Sequence, residues 1–310
     1  MNIVIAYDGS EFADAALDDL SRAGLPLKAS ARIVCAADVW IPPGGLSGVE
    51  TDQDLPASIR KARKTALEGL EHAQALANKA AQRVAQLMPA WEIKTDVIAD
   101  SPAWAVIKLI ESWPTDLAVL GARGQSRLQR LLLGSVSQKV LAEAQCSVRI
   151  GRRTSSKADG PVRIMLGLDG SIDSRAMVEI VASRNWPRDS EARLVTAIDP
   201  SIESATAFTP ESLKGWVQDE DEDVTSWVTR MMIDEGQRLE RAGLQVSTKV
   251  KFDDPRDAMI EEAAKWNAET IFVGARGHRI FDRFLLGSVS SSLAARAACS
   301  VEVVRAAAQG

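Results

Sequence analysis

Histidine is scarce in this 310-residue chain: His72 and His278 are its only two. Neither a structural zinc site nor a catalytic triad served by its own histidine in each half fits that supply. Cysteine is nearly as rare. Cys35, Cys146 and Cys299 have no C-x-x-C spacing, and an odd count does not make a disulfide framework. Reduced thiols in a cytoplasm are the expectation. Positive charge is not in excess either. The net charge of −5 argues against a nucleic-acid binder, which carries a basic face. Long apolar runs are missing too, and none approaches the roughly 18 residues a membrane helix needs. The opening Met1-Asn2-Ile3-Val4-Ile5-Ala6-Tyr7-Asp8 has no basic segment and meets a carboxylate within eight residues, so it reads as a buried strand and not as a signal peptide.

What remains is an ordinary globular balance, 46% hydrophobic and 25% charged. At roughly 100–200 residues per domain, the length suggests two domains. An internal repeat supports that count. GARGQSRLQRLLLGSVSQKVLAEAQCSVRI begins at Gly121 and GARGHRIFDRFLLGSVSSSLAARAACSVEV at Gly274. They match without gaps at about 16 of 30 positions. The domain starts match as well, IVIAYDGS with Asp8 against IMLGLDGS with Asp169. The offset is 161 residues at the starts and 153 at the glycine motifs, so the second copy is about eight residues shorter in between. A duplication places domain 1 at 1–153, a polar linker at 154–160 and domain 2 at 161–310.

Each half alternates strand and helix, which predicts a parallel sheet with right-handed crossovers, five strands and about four helices. Ile3–Tyr7 and Ile164–Leu168 read as first strands and Arg32–Ala37 and Arg193–Ile198 as second strands. Thr95–Ala99 and Thr248–Phe252 are third strands, Leu117–Leu120 and Thr270–Val273 fourth, Ser147–Ile150 and Ser300–Val304 fifth. Helices are expected near 57–87 and 225–242. Ile41–Pro56 and Pro200–Val224 diverge most. The acidic run Asp219–Asp223 within the second reads as a solvated stretch.

The fourth strands end in G-x2-G-x9-G-S: Gly121, Gly124, Gly134 and Ser135 in the first copy, Gly274, Gly277, Gly287 and Ser288 in the second. Glycine lets phosphate oxygens approach the backbone amides, and a helix N-terminus offers free N–H groups to an anion. The same motif also serves as a tight strand-to-helix connection with no ligand. Arg123 and Arg276 add positive charge there or point to solvent. Asp8 and Asp169, at the ends of the first strands, suit a sugar hydroxyl or base N–H or a helix N-cap. No G-x4-G-K-[ST] occurs, and no lysine is placed for a γ-phosphate. His278 has Gln125 as its counterpart and reads as a loop residue. Arg127, Arg130, Arg279 and Arg283 read as loop decoration, Cys146 and Cys299 as buried small hydrophobes, and the eight tryptophans as core or interface.

These residues together resemble a tandem member of the universal stress protein family, in its ATP-binding branch, and the resemblance covers both halves almost completely. It implies two Rossmann-like doubly wound domains of strand order 3-2-1-4-5, paired through their fifth strands as an internal pseudo-dimer. It implies that Asp8 contacts ribose and that the backbone at Ala36 contacts adenine. Gly121, Gly124, Gly134, Ser135 and Ser137 would hold the phosphates of ATP, with Mg2+. The matching set is Asp169, Ala197, Gly274, Gly277, Gly287, Ser288 and Ser290. The chain departs from the family where alanine replaces a common valine in the second strand. Asp100-Ser101-Pro102 and Asp253-Asp254-Pro255 stand where a glycine is frequent. The function implied is a stress-response or signalling module that binds ATP, a monomer or loose dimer, with at most slow hydrolysis because no positioned base is visible. The alternative is a nucleotide-free scaffold for a partner protein.

Overall fold

The computed structural model describes residues 1–41, 56–123, 133–153, 160–198, 224–276 and 286–306. The first half runs β1 (Asn2–Ala6), α1 (Glu11–Asp19), β2 (Ser30–Ala37), α2 (Ala57–Leu87), β3 (Glu92–Ala99), α3 (Pro102–Ser112), β4 (Leu117–Gly121), α4 (Ser135–Glu143) and β5 (Ser147–Gly151). The second half repeats it as β6 (Arg163–Gly167), α5 (Ile172–Ala182), β7 (Glu191–Ile198), α6 (Val224–Arg241), β8 (Gln245–Phe252), α7 (Pro255–Trp266), β9 (Thr270–Gly274), α8 (Ser288–Arg296) and β10 (Ser300–Val304). The acidic run 219–223, the loop arginines, His278 and most of the 154–160 segment lie outside the described residues. Among the described residues no helix is long and apolar enough to cross a membrane.

The ten strands form one sheet, ordered β3-β2-β1-β4-β5-β10-β9-β6-β7-β8. Each half therefore has the 3-2-1-4-5 order and is parallel throughout. The strands are apolar on both faces because helices cover both. Ile3 and Ile5 point into a core roofed by α1 and α2, while Val4 points into the opposite one. Helix α2 packs through Ala73, Ala77, Ala80 and Val84, a narrow stripe of small residues at helical spacing. The core on the other face runs unbroken across both halves, from Val4 and Ile150 to Val301 and Met259.

The third strands begin three residues earlier than their apolar pattern suggests. Ser30 pairs with Glu92 and Arg32 with Lys94, so backbone pairing extends polar edge strands that hydrophobicity alone does not reveal. Two tryptophans leave the expected pattern: Trp40 is 63% exposed and Trp104 43%. Lys139 sits 4.1 Å from the Trp104 ring centre, which partly accounts for the latter.

The halves meet where β5 and β10 pair antiparallel, with Ile150 opposite Val301, Arg149 opposite Glu302 and Val148 opposite Val303. Arg149 and Glu302 are themselves counterparts in the repeat. A symmetric pairing would set like charge against like; divergence has made it complementary. Arg149 is fully buried. It donates through Nε to Asp19 at 2.6 Å and through Nη1 to Glu302 at 3.2 Å and Thr270 at 3.1 Å. Glu302 also accepts from Arg184, and Asp19 from the Ser300 hydroxyl. Burial opposes the Arg149 charge, but Asp19 and Glu302 outweigh it and hold its pKa above the usual value.

Smaller contacts repeat with the pseudo-symmetry. Ser300 accepts from the Arg152 amide, and Ser147 from the Arg305 amide. The Arg152 guanidinium donates to Ala294 and Cys299 carbonyls near the end of α8; that of Arg305 donates to Leu141 and Ala142 carbonyls near the end of α4. Burial pushes the Arg152 pKa down to about 10, which leaves it charged at neutral pH. Farther out, Arg22 donates to Glu269 and to the Gly160 and Pro161 carbonyls, tying the start of the second half onto the first.

Removing one partner of a buried, hydrogen-bonded ion cluster costs about 3–5 kcal/mol. Glu302→Leu, which leaves Arg149 and Arg184 buried without their shared carboxylate, should lower the urea-unfolding free energy by about that amount; a loss under about 1 kcal/mol would show that the seam does not depend on the cluster.

Candidate functional site

Strands β1 and β4 lie side by side, Ile5 opposite Val119. The chain leaves β1 for β2 on one side and reaches β4 on the other, so the strand order reverses between them. Open α/β sheets bind ligands in the crevice beyond the strand ends at such a point. β6 and β9 form the same junction in the second half, with Leu166 opposite Phe272.

The Asp-Gly-Ser segment after the first strand is a tight turn. Gly9 has φ +77° and Gly170 φ +79°, a left-handed backbone that favours glycine. Asp8 Oδ1 accepts from the Ser10 amide at 3.0 Å, and Asp169 Oδ1 from the Ser171 amide at 3.0 Å. The helix caps themselves are the serines. Ser10 Oγ accepts from the Ala13 amide and Ser171 Oγ from the Ser174 amide. The N-cap reading of the aspartates is thereby corrected: the turn places the serine, not the carboxylate, one residue before the helix. Asp8 is half-buried and Asp169 exposed at the crevice rim. Leu76 of α2 and Trp227 of α6 close over the two turns; a Cβ on Gly9 would stand 2.8 Å from Leu76, and one on Gly170 2.6 Å from Trp227.

The glycine motif divides into two jobs. A Cβ on Gly121 would stand 2.6 Å from the Phe12 carbonyl oxygen, and one on Gly274 2.9 Å from Asp173 Cβ. The first glycine is thus demanded by close packing of strand on helix. Ser137 and Ser290, expected at phosphate, are buried; their hydroxyls donate to the Gly121 and Gly274 carbonyls at 2.7 and 2.5 Å. A hydroxyl has one proton to donate, so in this arrangement each ties helix to strand and does not donate to an anion. The Gly134 and Gly287 amides complete the tie by donating to the Ala122 and Ala275 carbonyls.

These ties hold α4 and α8 with their N-termini at the ends of β4 and β9. Gly134 and Gly287 occupy the cap positions, and neither helix has a side-chain cap. Ser135 and Ser288 follow, both exposed. A helix that starts on glycine, with no side chain bonded to its first amides, presents those amides outward. Ala36 and Ala197 are half-buried, one residue from the ends of β2 and β7. Gly124 and Gly277 lie outside the described residues.

The arginines of the motif differ between halves. The Arg123 guanidinium lies 5.6 Å from the Phe12 ring centre. Arg276 instead grips Asp173, through Nε at 2.9 Å and Nη2 at 2.8 Å. Neither Asp173 nor Phe12 stood out in the sequence; aligning the two repeats one turn past the Asp-Gly-Ser segment would have exposed the exchange.

Burial pushes the thiols of Cys35 and Cys146 up to about 12 and that of Cys299 up to about 11. A cavity of about 240 Å³, lined by Pro161, Arg163, Glu191, Asn267 and Glu269, lies at the opposite ends of the strands, and its charges are paired with one another or with Arg22.

Comparison with known proteins agrees with this fold. The universal stress protein family model matches residues 1–152 and again 162–305. The chain is 25% identical to universal stress protein Rv2005c of Mycobacterium tuberculosis, over 98% of this chain and 96% of that protein. It is 29% identical to a universal stress protein of Mycolicibacterium smegmatis over 69% of each. Among solved structures, a universal stress protein from Archaeoglobus fulgidus superposes with a TM-score of 0.65 at 20% identity, covering 98% of both chains.

Two outcomes follow from the site's construction. Ser137→Ala and Ser290→Ala should each lower stability by about 1 kcal/mol, the worth of one tie, read by chemical denaturation; no change would mean the ties are not formed. At pH 8 the native chain should resist alkylation by iodoacetamide at all three cysteines, and the denatured chain should take three labels by mass; rapid native labelling at any one would contradict its raised pKa.

Proposed function

The chain belongs to the universal stress protein family, and from that premise we propose that each half binds ATP at the crevice between its first and fourth strands. The observation that carries the reading is the pair of uncapped, glycine-started helices α4 and α8. Each is pinned at a strand end beside an Asp-Gly-Ser turn. The amides of Ser135 and Ser288 would take the phosphates, aided by their own hydroxyls. Asp8 and Asp169 would take the ribose hydroxyls at the other end, where a carboxylate is kept clear of phosphate charge. The half-buried Ala36 and Ala197 backbones would meet the adenine. Leu76 and Trp227 pack against Gly9 and Gly170 in the turns that carry Asp8 and Asp169.

Among the described residues no cluster of three or more His, Cys, Asp or Glu comes together that could hold a metal ion. The ATP would carry Mg2+ with it. The module would bind ATP and transmit its occupancy, with at most slow hydrolysis. The output is a change at the surface around the crevice, offered to a partner in a stress or signalling pathway in the cytoplasm.

Calorimetric titration with ATP and Mg2+ should show binding. The double substitution Asp8→Asn and Asp169→Asn keeps an acceptor for the Ser10 and Ser171 amides while removing the charge, and should weaken that binding about tenfold, or ~1.4 kcal/mol, without changing the melting temperature. Absence of both heat and thermal stabilisation at millimolar ATP would remove the proposal.

A further inference from the structure

The antiparallel seam lies on the local twofold axis that relates the two copies of the repeat. Arg149 and Glu302 hold the same place in their copies, 153 residues apart, and stand directly opposite each other. Either half paired in this register with a second copy of itself would set that residue against its own kind. The neighbouring charges make the consequence definite. Asp19, Arg149, Glu302 and Arg184 form a row of ion pairs across the seam, in that order. Asp19 and Arg149 come from the first half, Glu302 and Arg184 from the second. Their signs alternate along the row. Arg149 and Glu302, at its centre, have no exposure to water.

The outer members are not repeated. At the 161-residue offset of the first helices, Asp19 is matched by Ile180 and Arg184 by Ala23. Thr270, which accepts from Arg149 Nη1 at 3.1 Å, is matched by Leu117. A seam of two first halves would thus read Asp19, Arg149, Arg149, Asp19. One of two second halves would read Arg184, Glu302, Glu302, Arg184. Each is neutral as a whole, yet two like charges meet at its dry centre, where opposed strand residues of one sign repel. The native order puts unlike charges together at every contact in the row. Apolar burial does not discriminate: Val148 and Ile150 are matched by Val301 and Val303, so every pairing buries nearly the same surface.

We infer that the β5 and β10 edges are addressed to each other: the first half accepts the second and rejects a copy of itself, and the second half does likewise. Specificity of this kind combines attraction to the right partner with repulsion of the wrong one, and the central pair supplies both. The chain is thereby committed to closing on itself and not on a like half of another chain. This holds whether or not the crevices take nucleotide.

The test converts the seam within the full chain, placing at each position only the residue that its matched position already holds. Ile180→Asp, Arg184→Ala, Thr270→Leu and Glu302→Arg together give the second half a seam of the first type. Asp19→Ile, Ala23→Arg, Leu117→Thr and Arg149→Glu together give the first half a seam of the second type. Each one-sided conversion sets like against like. Each should lower the folding equilibrium constant, read from urea unfolding, by roughly a hundredfold or more. Both conversions in one chain exchange the roles of the halves and restore the alternating order. That chain should come within about tenfold of the unaltered one. One-sided conversions that unfold at the unaltered midpoint overturn the inference. So does a fully exchanged chain that fails to fold, or whose loss equals the two one-sided losses added together, because the damage then comes from packing and not from the order of charges.

Discussion

A single buried arginine sets the terms for this molecule. Arg149 lies in the antiparallel seam with no exposure to water, and its charge is tolerable only because Asp19, Glu302 and Thr270 surround it. Asp19 comes from the first half, Glu302 and Thr270 from the second. A fully desolvated ion is acceptable only when its partners are all in place, so the cluster forms when the halves dock in one register and not otherwise. A slip of one residue along β5 and β10 would turn Arg149 and Glu302 to opposite faces of the sheet. The apolar pairs on either side, Ile150 with Val301 and Val148 with Val303, supply burial but would accept many registers. The ions supply the choice.

The seam also reaches the crevices. Helices α4 and α8 begin at the proposed phosphate sites and end against arginines of the opposite half, Arg305 and Arg152. A cation at the C-terminus of a helix complements its dipole. The same helices are tied to β4 and β9 by Ser137 and Ser290. Each of these helices is therefore held from its own half at one end and from the other half at the other. Strand edges that would otherwise invite association are consumed in the same arrangement, leaving the polar edges β3 and β8 outermost. The divergence of Arg149 from Glu302 makes the two repeated halves complementary at their seam.

Much of this was legible from the chain because the physics involved is local or repeated. The repeat itself, the apolar strands and the Asp-Gly-Ser and glycine motifs all appear as short patterns. Strand order followed from resemblance. The start of the third strand at Glu92 is hidden in the sequence because Glu92 and Lys94 are polar, and only pairing with β2 makes them strand. The family resemblance puts Ser137 and Ser290 at phosphate, whereas both hydroxyls donate to strand carbonyls. Which way a hydroxyl points is settled by the helix's rotation against β4 and β9, and that depends on packing. The capping role of Ser10 and Ser171 depends on the left-handed turn at Gly9 and Gly170, which a sequence pattern does not display.

By itself, the sequence determined that the chain folds twice into the same layered α/β unit, with a glycine-started helix at the end of each fourth strand. Those features depend on residues within one turn or one strand of each other. Only the tertiary structure decided that Arg149 faces Glu302, that Arg22, Arg152 and Arg184 cross to the other half, and that Asp173 captures Arg276 where Phe12 lies beneath Arg123. Such contacts join residues 100 or more positions apart. A charge in a sequence carries no sign of its partner; desolvation selects that partner when the two surfaces close, and it does so through the geometry of the whole sheet.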